Sequence, residues 1–105
     1  MHKDVNISKS VLKKAKKFGL IDSKSKKLDK DFQIIVDMLS EGQTLPERYK
    51  DHKLKPDGRF PQDSRECHVK GDKLIVYVIN ANSIEILRLG THEQLFGSEK
   101  FTSRN

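Results

Sequence analysis

A chain of 105 residues has room for one folded unit, and its balance of 34% apolar to 34% charged residues suits a polar, soluble protein. A single cysteine, Cys67, excludes an internal disulfide, and no apolar stretch approaches the ~18 residues that a bilayer demands. Met1-His2-Lys3-Asp4 lacks the apolar core of a signal peptide, so the expectation is one cytoplasmic domain over residues 1–105.

The net charge of +6 is unevenly spread. Residues 1–30 hold ten lysines and three aspartates, whereas residues 31–105 hold eleven basic and twelve acidic side chains. A lysine block of this kind suits a polyanionic partner, because lysines near phosphates release counterions and steer encounter. It equally suits a solvated face that keeps the protein soluble.

Val5 and Ile7 alternate with polar residues and predict a short first strand. Ser8 is placed to cap a helix that carries Val11, Leu12, Ala15 and Phe18 on one side and Lys13, Lys14, Lys16 and Lys17 on the other, with Gly19 to end it. Residues 22–27 read as a polar loop. Asp29 then caps a second helix with Phe32, Ile35, Val36 and Leu39 on one face, closed by Gly42. Pro46, Pro56, Gly58 and Pro61 make residues 43–66 mainly loop. Residues 65–70 are a candidate strand. The nearly continuous apolar run at 74–79 predicts a central strand covered on both sides, and it argues against disorder. Residues 80–83 form a turn, 84–89 return as the hairpin partner, and Gly90-Thr91 breaks that strand before Thr91 caps one helical turn. The last residues, 98–105, read as a frayed tail. The order predicts an α+β fold: a small antiparallel sheet with an N-terminal two-helix hairpin on one face.

No phosphate-cradling glycine loop, paired-cysteine metal signature or serine nucleophile motif is present. The histidines remain. His52, His68 and His92 each lie beside a loop or a strand end, His68 four residues before Asp72 and His92 just after the strand that carries Arg88. Imidazole, with an unperturbed pKa of about 6.5, gives and takes protons near neutrality. RNA needs little else, since its 2′-hydroxyl is an internal nucleophile. A base, an acid and a cation at the phosphate are enough, and each acid–base group contributes roughly 10² to 10⁴-fold. A lone histidine in a small domain is more often a surface or hydrogen-bonded residue than a catalyst. Three could bind zinc, although no pair has the i, i+4 spacing that often brings two ligands together.

Three blocks sharpen this. Leu45-Pro46-Glu47-Arg48-Tyr49-Lys50-Asp51-His52-Lys53-Leu54 resembles the LP…YxDHxL signature of YafQ-like toxins of the RelE superfamily. Arg65-Glu66-Cys67-His68-Val69-Lys70-Gly71-Asp72 resembles their RDxHVxxD stretch, and Arg88-Leu89-Gly90-Thr91-His92-Glu93-Gln94-Leu95-Phe96-Gly97 their R-x-GTHxxLFG ending. The resemblance implies a RelE-like, microbial-ribonuclease-like fold and a toxin that cuts messenger RNA on the ribosome. It implies no metal or cofactor and a cognate antitoxin protein as partner. His52, His68, Asp72, Arg88, His92 and Phe96 fall on the family's active-site positions. His92 would be the acid, His52 or His68 the base, and Arg88 the support of the scissile phosphate. Asp72 would orient a histidine or contact RNA, and Phe96 would stack on a base or plug the core.

The sequence departs from the pattern in a longer loop, Lys55-Pro56-Asp57-Gly58-Arg59-Phe60-Pro61, in the loss of a glycine around Asp63-Ser64, and in Lys73 where an aromatic often stands. Codon preference is the property these changes would touch. The lysine face (Lys13, Lys14, Lys16, Lys17) would serve ribosomal RNA or an acidic antitoxin. The alternative is a non-catalytic relative that binds RNA or the ribosome and inhibits translation, or acts with its antitoxin in transcriptional regulation; the complete histidine set with Arg88 is what such a binder would not need.

Overall fold

In a computed structural model the described residues are 2–55 and 58–97, so the tail at 98–105 and residues 56–57 of the long loop lie outside them. The helices begin where their caps predict. The Ser8 hydroxyl accepts the Val11 N–H at the start of α1 (Lys9–Lys17), and the Asp29 carboxylate accepts the amides of Asp31 and Phe32 at the start of α2 (Lys30–Ser40). Gly19 and Gly42 leave the two helix ends at φ +76 and +74, conformations that glycine adopts without a Cβ clash. No helix among the described residues is long and apolar enough to cross a membrane.

Five strands form one sheet: β1 (Asp4–Ile7), β2 (His52–Lys53), β3 (Arg65–Lys70), β4 (Lys73–Ile79) and β5 (Ser83–Thr91), in the order β1-β5-β4-β3-β2. β2 through β5 pair antiparallel, as expected, whereas β1 lies parallel to β5 with Val5 opposite Ile84 and Ile7 opposite Ile86. The 74–79 run is indeed the central strand. The two-residue β2 escaped the sequence reading, because so short a strand has no alternation to detect.

Side chains alternate across the sheet, and the two faces differ. Cys67 and Val69 of β3, Ile75 and Tyr77 of β4, and Ile84, Ile86 and Leu89 of β5 form one core with Val11 and Ala15 of α1 and Phe32, Ile35 and Leu39 of α2. Fully burying one such side chain is worth about 1.5–3 kcal/mol. Glu66, His68, Leu74, Val76, Arg88 and Gly90 have the opposite parity. A bulge on β5 at Leu87 keeps both patterns in phase, since Val76 pairs with Arg88 while Tyr77 pairs with Ile86.

One boundary needs correction. Gly90-Thr91 does not break the strand: Gly90 pairs with Leu74 and Thr91 with Lys73, and β5 runs through both. The glycine is needed for another reason. A Cβ there would lie 2.9 Å from Gln94 Oε1 and 3.3 Å from Leu95 Cδ2, so its absence lets α3 (His92–Phe96) pack back on the sheet. Thr91 does cap that helix, in a reciprocal box with Gln94.

Several residues of the signature blocks hold the fold. Leu45 and Tyr49 are buried, and the Tyr49 hydroxyl donates to Asp31 at 2.7 Å while accepting from Arg48 at 2.8 Å. Asp51 accepts the Tyr77 hydroxyl and, at 3.1 and 3.3 Å, two nitrogens of Arg65. Burial first, and then the Asp51 carboxylate, push the Tyr77 hydroxyl far up and keep it the donor. These bonds fix Asp51 and thereby His52, the next residue, at the edge of the sheet.

Candidate active site

The face away from α1 and α2 brings three of the candidate residues, His52, His68 and Arg88, to one side of the sheet. Register places His52 opposite Glu66, Glu66 opposite Val76 and Val76 opposite Arg88, one row across four strands. His68 lies two residues along from Glu66, opposite Leu74, which in turn faces Gly90. With strands about 4.8 Å apart and residues about 3.3 Å apart along them, His68 is roughly 12 Å from Arg88 between Cα atoms, and His52 roughly 14 Å.

His52 is exposed, with Nε2 3.3 Å from the Glu66 carboxylate and Nδ1 3.2 Å from the Lys53 carbonyl. Both ring nitrogens thus face oxygen atoms. Glu66 is only 4% exposed and is the carboxylate that contacts a histidine on this face. The sequence reading assigned it no role. Its signal was present all the same: a charged residue two before His68 on a strand must share the face of His68.

Of the two roles open to Asp72, orienting a histidine or contacting RNA, the first has no contact behind it among the described residues. Asp72 sits in the β3–β4 turn after Gly71 at φ +58, is 71% exposed, and bonds Lys73 at 2.7 Å rather than any histidine. That bond with Lys73 holds its carboxyl below the usual range. Lys73, where the family often has an aromatic, also lies 4.9 Å from the Phe18 ring, linking the turn to the end of α1.

His92 is exposed in the first turn of α3, and its ring centroid is 4.9 Å from that of Phe96. The two side chains, four residues apart, lie on one face of the helix. Phe96 is half-buried and also meets Phe60 edge-on at 5.8 Å. His68 lines a cleft of about 180 Å³ with Arg48, Tyr49 and Lys50 beside β3.

The four lysines divide. Lys13 and Lys14 line a cavity of about 370 Å³ together with Ser10, Leu89 and Arg88, where α1 crosses the edge of β5. Lys16 lines a separate cavity with the 19–29 loop, and Lys17 lines neither. Arg88 is exposed and donates to its neighbour's carbonyl, Leu87, at 2.9 Å; among the described residues no carboxylate pairs with it or with Lys13 and Lys14. These three cations form a strip along the edge of β5. Cys67 offers no nucleophile, since it is fully buried on the helix side and burial drives its thiol far up. Among the described residues no three His, Cys, Asp or Glu side chains are grouped to hold a metal ion.

A small α+β protein with two histidines and an exposed arginine on one side of its sheet is thereby defined, and its relatives match it. The model of the family described as bacterial toxin of type II toxin-antitoxin system, YafQ, matches residues 3–97. A metal-bound toxin from Helicobacter pylori is 36% identical with a TM-score of 0.71, the match covering 91% of this chain and 100% of that one. A copper-bound mutant toxin from the same organism is 31% identical with a TM-score of 0.73, over 91% and 100% of the two chains. The Escherichia coli DinJ-YafQ toxin-antitoxin complex contains a chain 25% identical, TM-score 0.68, with 92% and 100% covered. No curated protein matches the chain. The chain belongs to the YafQ family of type II toxin–antitoxin toxins.

Proposed function

We propose that this toxin is an endoribonuclease that cuts messenger RNA on the ribosome in the cytoplasm, with no metal or cofactor, and that a cognate antitoxin holds it in check. The observation that carries the reading is a shared side: His52, His68 and Arg88 on the sheet face away from α1 and α2 and His92 beside it, with a cationic cavity at the edge of β5. The antitoxin follows from the family and from the DinJ-YafQ complex.

In the proposed reaction the 2′-oxygen bonds to the adjacent phosphorus while the bond from phosphorus to the 5′-oxygen breaks. His68 takes the 2′-hydroxyl proton. It is nearer than His52 to both Arg88 and the start of α3 by register, and no carboxylate among the described residues pairs with it. His92 gives its proton to the departing 5′-oxygen. Arg88 stabilises the charge that builds on the phosphorane, an effect worth a few kcal/mol for a well-aimed group. His52, held by Glu66, supplies a second donor next to the base. Lys13 and Lys14 continue the cationic track from Arg88 toward the flanking phosphates, while Lys16 and Lys17 contribute longer-range attraction. Asp72 contacts RNA rather than a histidine, and Phe96 lies beside a base.

Primer extension on translated mRNA tests the reading, since a nuclease leaves defined new 5′ ends and a ribosome-binding inhibitor does not. Translation arrest without new ends would overturn it. Comparing His68→Gln with His52→Gln then tests the base: only the first should remove the acidic limb of the pH–rate profile, the limb that reports a base.

A further inference from the structure

The long loop is the part of the sequence that the proposed chemistry leaves unused, and its residues Arg59 and Phe60 reach the helix that carries His92. α3 has five residues, none of them buried, so its own packing holds it weakly. Two devices at its start are the Thr91–Gln94 capping box and the close approach over Gly90. At its far end Arg59 donates from Nη1 to the Phe96 carbonyl at 3.0 Å, with its guanidinium 5.8 Å from the Phe96 ring. Phe60 sets its ring against Phe96 at 5.8 Å and 71°, an edge-to-face pair, and Phe96 in turn touches His92 at 4.9 Å.

The base of the loop is built to aim Phe60. Ser64, 2% exposed, donates to the Pro61 carbonyl with both its hydroxyl, at 2.6 Å, and its amide, at 3.2 Å. Its own carbonyl accepts the Leu54 amide at 2.9 Å, and Lys53 pairs with Asp63 at 3.0 Å across the same neck. Residues 61–64 are thus a tight, pinned turn, and Phe60 leaves it directly toward α3.

We propose that Arg59 and Phe60 are positioning residues for His92: they fix Phe96, and Phe96 fixes the imidazole that donates the proton. The role rests on the ribonuclease reading, but its physical core, a loop that orients the His92 ring, does not. A misplacement of about 1 Å at a catalytic group can cost on the order of 10²-fold, so a loosened His92 should slow the chemical step and not substrate binding.

The experiment is Phe60→Ala, read in three ways. The His92 ring resonances in a ¹H–¹³C correlation spectrum of the free toxin should move, because the ring current and contact of Phe96 change. Cleavage of mRNA on programmed ribosomes should fall about tenfold in kcat with KM unchanged, and Phe60→Tyr should restore it. In a His92→Gln background, Phe60→Ala should add no further loss, because the residue it serves is gone. Phe60→Leu, which fills the space without a ring edge, provides a second variant that keeps the loop packed and should show the same shift at smaller size. Unmoved His92 resonances with unaltered kcat would overturn the proposal, as would an equal loss in the His92→Gln background. If the wild-type toxin left no new 5′ ends while Phe60→Ala still moved the His92 signals, the ribonuclease reading would fall and the clamp would stand.

Discussion

The two faces of the sheet are built on opposite terms. On the helix side β1, β3, β4 and β5 contribute apolar side chains to a closed core, and the polar groups there, Asp51, Arg65 and Tyr77, bond one another. On the other side Arg88 and His92 are exposed without an acidic partner among the described residues, and a carboxylate, Glu66, is buried beside a histidine. The main core therefore lies on one face and the candidate site residues gather on the other. Substitutions on the two sides should report on different quantities, and that separation can be tested.

The largest effect belongs to His92→Gln. Cleavage should fall by roughly 10² or more, the scale of a lost general acid, while the melting temperature and ribosome binding stay nearly constant. An RNA with a 5′-phosphorothiolate leaving group, which needs no proton, should recover much of the loss. Near-normal cutting by the variant would move the acid elsewhere.

Tyr77→Phe is the counterpart on the helix face. It removes one hydroxyl from Asp51, so unfolding in urea should show a loss of about 1–2 kcal/mol, with cleavage by the folded fraction unchanged. A drop in cleavage without a drop in stability would mean that the Asp51 network tunes His52 and that the faces are coupled.

Asp29→Ala should cost about 1 kcal/mol by uncapping α2, and its pH dependence has a definite sign. Burial raises the Asp29 carboxyl, but hydrogen bonds from Lys70 and the amides of Asp31 and Phe32 outweigh it and leave the folded value depressed. The stabilisation is therefore present above the unfolded aspartate pKa of about 3.9 and is lost as pH falls through the lower folded value. Wild type and variant should converge in melting temperature in acid and diverge toward neutrality. Convergence at neutral pH would contradict the cap.

Smaller still, Lys13→Gln with Lys14→Gln should lower the salt dependence of ribosome binding by about two charges' worth and leave cutting at saturation little changed. Lys16→Gln with Lys17→Gln should do less, because neither lysine shares a cavity with Arg88. Equal slopes for the two pairs would dissolve the division of the helix. The smallest expected change is none: cleavage should survive EDTA at a magnesium level that keeps ribosomes intact. In view of the copper-bound relative, an activity restored only by a transition metal would overturn the acid–base scheme.

Much of this was legible in the sequence because the signals were local. Ser8, Asp29 and Thr91 announced their helices through capping chemistry, and the apolar run at 74–79 announced the central strand. The positions of His52, His68, Arg88 and His92 could be read from motif blocks, but their shared face could not. It depends on register between strands and on a one-residue bulge at Leu87 that periodicity does not reveal. The role of Glu66, the diversion of Asp72 to Lys73, and the contact of Phe60 with Phe96 all arise from pairings between distant segments. The use of Gly90 was misread for the same reason: a helix that folds back over a strand is a tertiary fact.

β5, the strand that carries Arg88 and leads into His92, lies between two neighbours of different origin. β4 joins it through a short turn, while β1 reaches it from the other end of the chain, Asp4 pairing with Ser83. Closing the first partnership costs little chain entropy and closing the second costs much more, so the hairpin should form early and the parallel edge late. For part of every folding event β5 therefore has one edge unpaired, its N–H and C=O groups open to any extended segment. The toxin would pass through a state in which its most important strand is a template, before the first residues of its own chain arrive to occupy it.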